Sequence, residues 1–220
     1  MLIAFWSVKG GSGVTVVAAG AALALARPSA PPVLLVDMAG DLAYCLGVPD
    51  PSGPGVADWS AAGSDVPADA LVRLATPVTS EVELIPRGSG PIDAGRADLL
   101  LQLLSAARRD VVIDCGLVDE HDAAAAAAVV AAGAERSVLV TRMCALGLRR
   151  AVRASLRPMG VVAVREAGRA LTSEDVANVL GVPVLAEVAV DPAVARAVDA
   201  GLLATRPPRQ FSAALRQVAA

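Results

Sequence analysis

The chain has 220 residues, of which 55% are hydrophobic, 2% aromatic and 19% charged, with a formal net charge of −3. That composition excludes intrinsic disorder, which needs low hydrophobicity and high net charge, and the length suits one domain, spanning 1–220, that buries roughly 70% of its unfolded surface. A net negative chain is not a general polyanion binder, so contact with nucleic acid would need a local basic patch. Three scattered cysteines (Cys45, Cys115 and Cys144) form neither a disulfide framework nor a zinc cluster. With no export signal, the expected compartment is the reducing cytoplasm.

Two stretches imitate membrane elements. Gly10 to Ala26 carries no charge, but a signal peptide needs basic residues before its apolar core, and here an apolar run, Leu2 to Val8, precedes Lys9. Ala123 to Ala134 is too short to span a bilayer.

In chain order, Leu2 to Val8 reads as a buried strand, followed by a Gly-rich turn and an Ala/Leu helix from about Thr15 to Ala26. Val33 to Val36 is a second strand ending at Asp37, and its continuous apolar character marks a strand covered on both faces of a parallel sheet. Gly47 to Thr79 is rich in Pro, Gly, Asp and Ser, with short helical pieces. Val82 to Ile85 is a strand, and Asp93 to Arg108 an amphipathic helix with Asp93 as N-cap. Asp110 to Asp114 is a strand, Ala123 to Ala132 a helix by propensity, Ser137 to Val140 a strand, and Leu146 to Leu156 a helix stopped by Pro158. Strands Val161 to Val164 and Pro183 to Val188, with two more helices, complete the pattern. Strict alternation predicts an α/β fold, a doubly wound and mostly parallel sheet with helices on both faces.

The chemistry concentrates in Lys9-Gly10-Gly11-Ser12-Gly13-Val14-Thr15, between the first strand and the first helix. Glycines let backbone N–H groups converge on an anion, and the helix N-terminus adds its positive dipole end. A Thr at that helix start can place its hydroxyl on Mg²⁺. Of the 19 basic residues only Lys9 is lysine, and it stands beside the glycines; a compact ammonium suits a tight phosphate turn better than a planar guanidinium. The bland alternative is a strand-to-helix turn with glycines for close packing. Asp37 and Asp114 end strands at the edge where ligands bind in such sheets, or else cap the loops that follow them.

This loop resembles that of the ParA/MinD family of deviant Walker A ATPases, K-G-G-x-G-K-[ST]. The resemblance implies a P-loop NTPase-like fold that binds ATP with Mg²⁺ and dimerises. Lys9 matches the signature lysine that reaches across a dimer to the partner's nucleotide, and residues 9–15 match the phosphate-binding loop. Thr15 matches the Mg²⁺ hydroxyl, and Val14 falls where the family has its second, phosphate-binding lysine. Asp37-Met38-Ala39 matches the D-x-D of switch I, so Asp37 keeps a metal-side or catalytic place while the second, water-orienting Asp is Ala39. Asp114 matches the metal-side carboxylate of the Walker B region. Arg165, Asp191 and Pro192 fall near the nucleobase, with no Asn in the adenine-reading place. Gly40-Asp41-Leu42-Ala43 is most similar to the CpaE/TadZ branch, whose members localise Flp/Tad pilus assembly machinery, often with a degenerate nucleotide site. Impaired or absent hydrolysis follows from Val14 and Ala39.

Two other functions stay open: a working ATPase of chromosome-partition or septum-site type with an arginine covering for Val14, and a Rossmann dinucleotide binder. The covering arginine would be Arg87, Arg142 or Arg165, each of which follows a strand. The dinucleotide fingerprint is imitated by Gly11-Ser12-Gly13 and Asp37, with Val16 in place of the third glycine. Arg149, Arg150, Arg153 and Arg157 fall in one predicted acid-free helix, with three of them at i, i+4 and i+8. They form a stripe for DNA phosphate, acidic lipid or an acidic partner, or else a solvated face. Phe211, Leu215 and Val218 share a face of the last helix, as a short membrane contact or, with so small a face, docked on the domain. His121, the one histidine, belongs to no triad pattern.

Overall fold

A computed structural model describes residues 1–49, 52–63, 66–67, 69–119, 122 and 124–219. His121 and Ala123 lie outside the described residues. In chain order the elements are β1 (Leu2–Ser7), α1 (Val14–Leu25), β2 (Val33–Asp37), α2 (Leu42–Leu46), α3 (Val56–Ala61), β3 (Thr76–Thr79), β4 (Val82–Ile85), α4 (Ala97–Ser105) and β5 (Val111–Leu117). There follow α5 (Ala126–Gly133), β6 (Arg136–Arg142), α6 (Ala145–Arg153), β7 (Gly160–Arg165), α7 (Ser173–Leu180), β8 (Val184–Ala189), α8 (Pro192–Asp199) and α9 (Arg209–Arg216).

The described strands form one sheet in the order β3-β4-β2-β5-β1-β6-β7-β8. All pairs are parallel except β3–β4. Alternation along the strands splits the core into two. Leu2, Ala4, Trp6, Leu34, Val36, Val111 and Ile113 face α3 to α7. Ile3, Phe5, Val33, Leu35 and Val112 face α1, α2, α8 and α9. Each face buries apolar side chains worth about 1.5–3 kcal/mol apiece, which is why the strands read as unbroken apolar runs.

Small residues set the closeness of the α1 layer. Gly20 faces α9 with no side chain, and a Cβ there would lie 2.3 Å from the Phe211 ring. Phe211, Leu215 and Val218 are buried against this layer, so the apolar face of the last helix is used in packing, as the docking alternative expects.

Several sequence expectations need correction. The sequence pattern does not mark the strand β3: it is short, half-exposed and carries Pro77, features that an edge strand tolerates and a central strand does not. Three helices, not two, follow β7. The helix expected from Asp93 opens with a 3₁₀ turn, Ala94–Arg96, in which the Asp93 carboxylate accepts the Gly95 N–H at 2.9 Å. The arginine stripe is also shorter than expected. Helix α6 ends at Arg153, with Ala154 already extended, and Arg157 lies beyond it, donating to the Val152 carbonyl. Pro158 disfavours the helical conformation at Arg157, so Arg149, Arg150 and Arg153 remain on the helix and Arg157 does not.

Candidate functional site

The strand order carries β1 and its loop to the middle of the sheet, flanked by β5, β2 and β4 on one side and β6, β7 and β8 on the other. Residues 8–13 turn from β1 into α1. Gly11 (φ +74°) and Gly13 (φ +89°) adopt left-handed backbone, which favours glycine. A Cβ at Gly10, Gly11 or Gly13 would meet nothing within 4 Å, so the loop opens outward onto free space. The first N–H groups of α1 have no intrahelical acceptor, and Gly13 to Val16 at that end wall the cavity described below.

The turn is braced from beneath. The Ser7 and Ser12 hydroxyls both donate to the Lys9 carbonyl, at 3.0 and 2.7 Å. Ser12 is buried, so its hydroxyl closes the loop and only its backbone faces the opening. Arg142, at the end of β6, donates from Nε to the Gly11 carbonyl at 2.8 Å and pairs through Nη1 with Glu166. Nothing local in the sequence signals this brace, since its partners stand 131 residues apart. Lys9 is half-buried beside the loop and reaches the Gly10 carbonyl at 3.4 Å. Val14 is buried in the α1-side core and presents no charge.

Asp37 and Asp114 are register partners on neighbouring strands β2 and β5, on the face that α1 covers. Asp37 shapes the loop after β2. Its Oδ1 accepts the N–H groups of Ala39 (3.0 Å) and Gly40 (2.6 Å), and its Oδ2 accepts that of Leu42 (3.0 Å). Burial raises its pKa, and these three N–H groups oppose the rise. Asp114 accepts the Gly116 N–H on Oδ1 at 3.0 Å, while its buried Oδ2 lacks a well-formed hydrogen bond. Burial pushes its carboxyl up to about 7. The charges of Asp37 and Asp41 add to that rise, and the Thr15 hydroxyl and the Gly116 N–H oppose it. The thiols beside these carboxylates are inert: burial pushes Cys45 up to about 12 and Cys115 well above the usual thiol range.

A cavity of about 570 Å³ joins the loop to these strand ends, with Lys9 to Val16, Ala39, Asp41, Arg87 and Gly116 among its walls. Thr15 on its wall and the Asp114 carboxyl buried behind it suit a magnesium ion. Mg²⁺ keeps several waters and takes one or two carboxylates plus substrate phosphates, and Thr15 with the Asp114 carboxyl offers that kind of partial shell. Among the described residues no cluster of three His, Cys, Asp or Glu could hold a metal alone, so phosphate oxygens and water would complete the sphere. On the other flank a 340 Å³ cavity is walled by Val16, Val164, Val188, Val194 and Phe211, with Asp191 and Arg142 at its polar rim. Asp191 caps α8 by accepting the Ala193 N–H at 2.7 Å. Arg165 lies in an adjoining recess paired with Glu187, and Pro192 is the exposed first residue of α8.

The strand order removes the dinucleotide alternative. In that fold the second strand lies beside the first, so its terminal acid reaches the ribose; here β5 separates β2 from β1, and Asp37 is engaged by its own loop. A Gly-rich turn from a central strand into a helix, with carboxylates on the next two strands to one side, Asp114 on β5 and Asp37 at the end of β2, defines a nucleotide-binding α/β protein of the phosphate-loop class. The chain belongs to the CobQ/CobB/MinD/ParA nucleotide binding domain family, whose model matches residues 3–204. No curated protein matches it.

Among solved structures it is similar to a ParA family ATPase from Chlorobium tepidum TLS (TM-score 0.78, 22% identity, 99% of this chain and 98% of that one). It is similar also to the septum site-determining protein MinD complexed with Mg-ADP from Pyrococcus horikoshii OT3 (0.77, 22%, 99% and 93%). The MinC:MinD cell division protein complex of Aquifex aeolicus gives 0.76, 17%, 100% and 94%. No helix among the described residues is long and apolar enough to cross a membrane.

Proposed function

We propose that this chain binds ATP with Mg²⁺ and hydrolyses it very slowly or not at all, serving as a dimeric positioning or scaffold protein. The observation that carries the reading is the open glycine turn at the N-terminus of α1, set against the buried Asp114 carboxyl, which the Thr15 hydroxyl faces and whose Oδ2 lacks a well-formed hydrogen bond. Backbone N–H groups of Gly11 to Thr15 would hold the phosphates. Thr15 and Asp114 would hold the metal, with Asp37 keeping the switch loop in place and reaching the ion through water. The bound ion supplies charge neutralisation on the phosphates. The apolar cavity beside Gly13 would take the base, with Asp191 at its rim and Arg165 and Pro192 next to it. Lys9 would complete the site of a second copy.

Hydrolysis needs charge neutralisation at the terminal phosphate and an oriented water. Val14 withholds the first within the loop and Ala39 the second. By analogy with lost oxyanion donors, each loss costs on the order of 100-fold in rate. The Gly40-Asp41-Leu42-Ala43 stretch favours the CpaE/TadZ branch and so a protein partner in Flp/Tad pilus or related secretion machinery, with recruitment from the cytoplasm to a membrane or cell pole. The arginines at 149, 150, 153 and 157 would give any acidic partner, DNA included, its contact surface.

Calorimetry with ATP, ADP, GTP and NAD, with and without Mg²⁺, tests the ligand, and phosphate release tests turnover. We expect Mg-ATP binding without steady hydrolysis, and a rise in turnover when Val14→Lys is combined with Ala39→Asp. Turnover by the unaltered chain at ordinary P-loop ATPase rates would overturn the impaired-hydrolysis reading.

A further inference from the structure

We propose that Arg87 supplies, from within the same chain, a cation that holds the terminal phosphate in binding where Val14 provides none, while the water-orienting carboxylate missing at Ala39 still leaves hydrolysis impaired. The inference rests on the nucleotide-binding reading above and names the residue that replaces the missing charge. Three arginines follow strands at the ligand edge, and the structure separates them. Arg142 is committed to the Gly11 carbonyl and to Glu166. Arg165 is committed to Glu187. Arg87, just beyond β4, pairs with no acid among the described residues; its one polar contact is the Gly88 carbonyl at 3.4 Å.

Its position fits the role. The Arg87 stem crosses the loop after β2 at Gly40, where a Cβ would lie 3.2 Å from its Cδ. From there the side chain walls the cavity it shares with Lys9 to Val16, and also a neighbouring polar cavity of about 610 Å³ lined by Asp37, Asp41 and Ser89. This is the flank on which Thr15 and Asp114 would hold the metal, hence the flank of the terminal phosphates; Arg142 and the apolar base cavity lie on the other. Asp41 also lines both cavities, but neither it nor Asp37 forms an ion pair with the guanidinium, and Asp37 is held by the N–H groups of its own loop. A guanidinium is always charged, is weakly hydrated and presents a fork of donors that matches phosphate oxygens.

The test compares the full chain with Arg87→Met, which keeps the stem and removes the charge, and with Arg87→Lys, which keeps the charge. Calorimetry uses Mg-ATP and Mg-ADP, and a thermal melt verifies that each variant folds. A hydrogen bond to a charged group is worth about 1.5–3 kcal/mol. The methionine variant should therefore bind Mg-ATP roughly ten- to a hundredfold more weakly, with a smaller loss for Mg-ADP. The lysine variant should recover part of the loss, and Val14→Lys in the methionine background should restore it. If the unaltered chain binds Mg-ATP and Arg87→Met binds it equally well, the assignment of Arg87 fails while the nucleotide reading stands. If the unaltered chain binds neither nucleotide, both fail.

Discussion

The two flanks of the phosphate loop handle charge in opposite ways. Toward β6, β7 and β8, each named charge at a strand end is engaged: Arg142 with Glu166, Arg165 with Glu187, and Asp191 as the cap of α8. Toward β5, β2 and β4, the buried Asp114 Oδ2 lacks a well-formed hydrogen bond and Arg87 lacks an acid. Paired charges hold backbone in place. Charges left without partners in a lined cavity cost stability, and binding sites are where such cost is kept. The contrast locates the polar end of the site on one flank and its apolar end on the other.

The largest expected effect is at the loop itself. Gly13→Val forces a β-branched residue into φ +89° and fills the opening. Mg-ATP affinity should fall at least about a hundredfold and stability by about 1–3 kcal/mol, read by calorimetry and by denaturant melts. Next is Asp114→Asn. Its carboxyl, raised from 3.8 to about 7 by burial, holds a proton in the folded state that the unfolded chain releases. Stability from this group is therefore full below about pH 4 and is lost as pH climbs through about 7. The amide removes that dependence, so the variant should gain on the order of 2–4 kcal/mol at pH 8 and nothing at pH 4, while its nucleotide binding loses Mg²⁺ dependence. Melts across pH check the first outcome; a variant that is no more stable at pH 8 would sink the account of Asp114 as an uncompensated buried charge. The smallest effect belongs to the paired flank. Arg169→Ala breaks an exposed pair with Glu166, should cost less than about 1 kcal/mol, and should leave Mg-ATP affinity unchanged.

Much of this was legible in the chain. The apolar runs at Leu2, Val33, Val82, Val111, Ser137, Val161 and Pro183 each became a strand of the sheet, because strands covered on both faces are mostly apolar; polar residues such as Glu83 in β4 and Glu187 in edge strand β8 do not hide the pattern. The glycine turn was legible because few other residues accept positive φ. What escaped was of two kinds. The strand Thr76–Thr79 sets one apolar side chain, Val78, against the core, too little to produce a pattern, and its partner in β4 is one the sequence does not mark. The engagement of Arg142 and Arg165, and the freedom of Arg87, depend on which acids the fold brings near. Each of the three reads alike as an arginine after an apolar run.

The notch at Gly20 ties two distant positions into one unit of inheritance. With the Phe211 ring 2.3 Å from where a Cβ would sit, an alanine at position 20 demands a smaller or shifted residue at 211. Once position 20 has no side chain, the void it leaves must be filled from α9. Relatives that share this C-terminal packing should therefore vary at the two positions together, in opposite sizes, whatever becomes of the nucleotide site beside them.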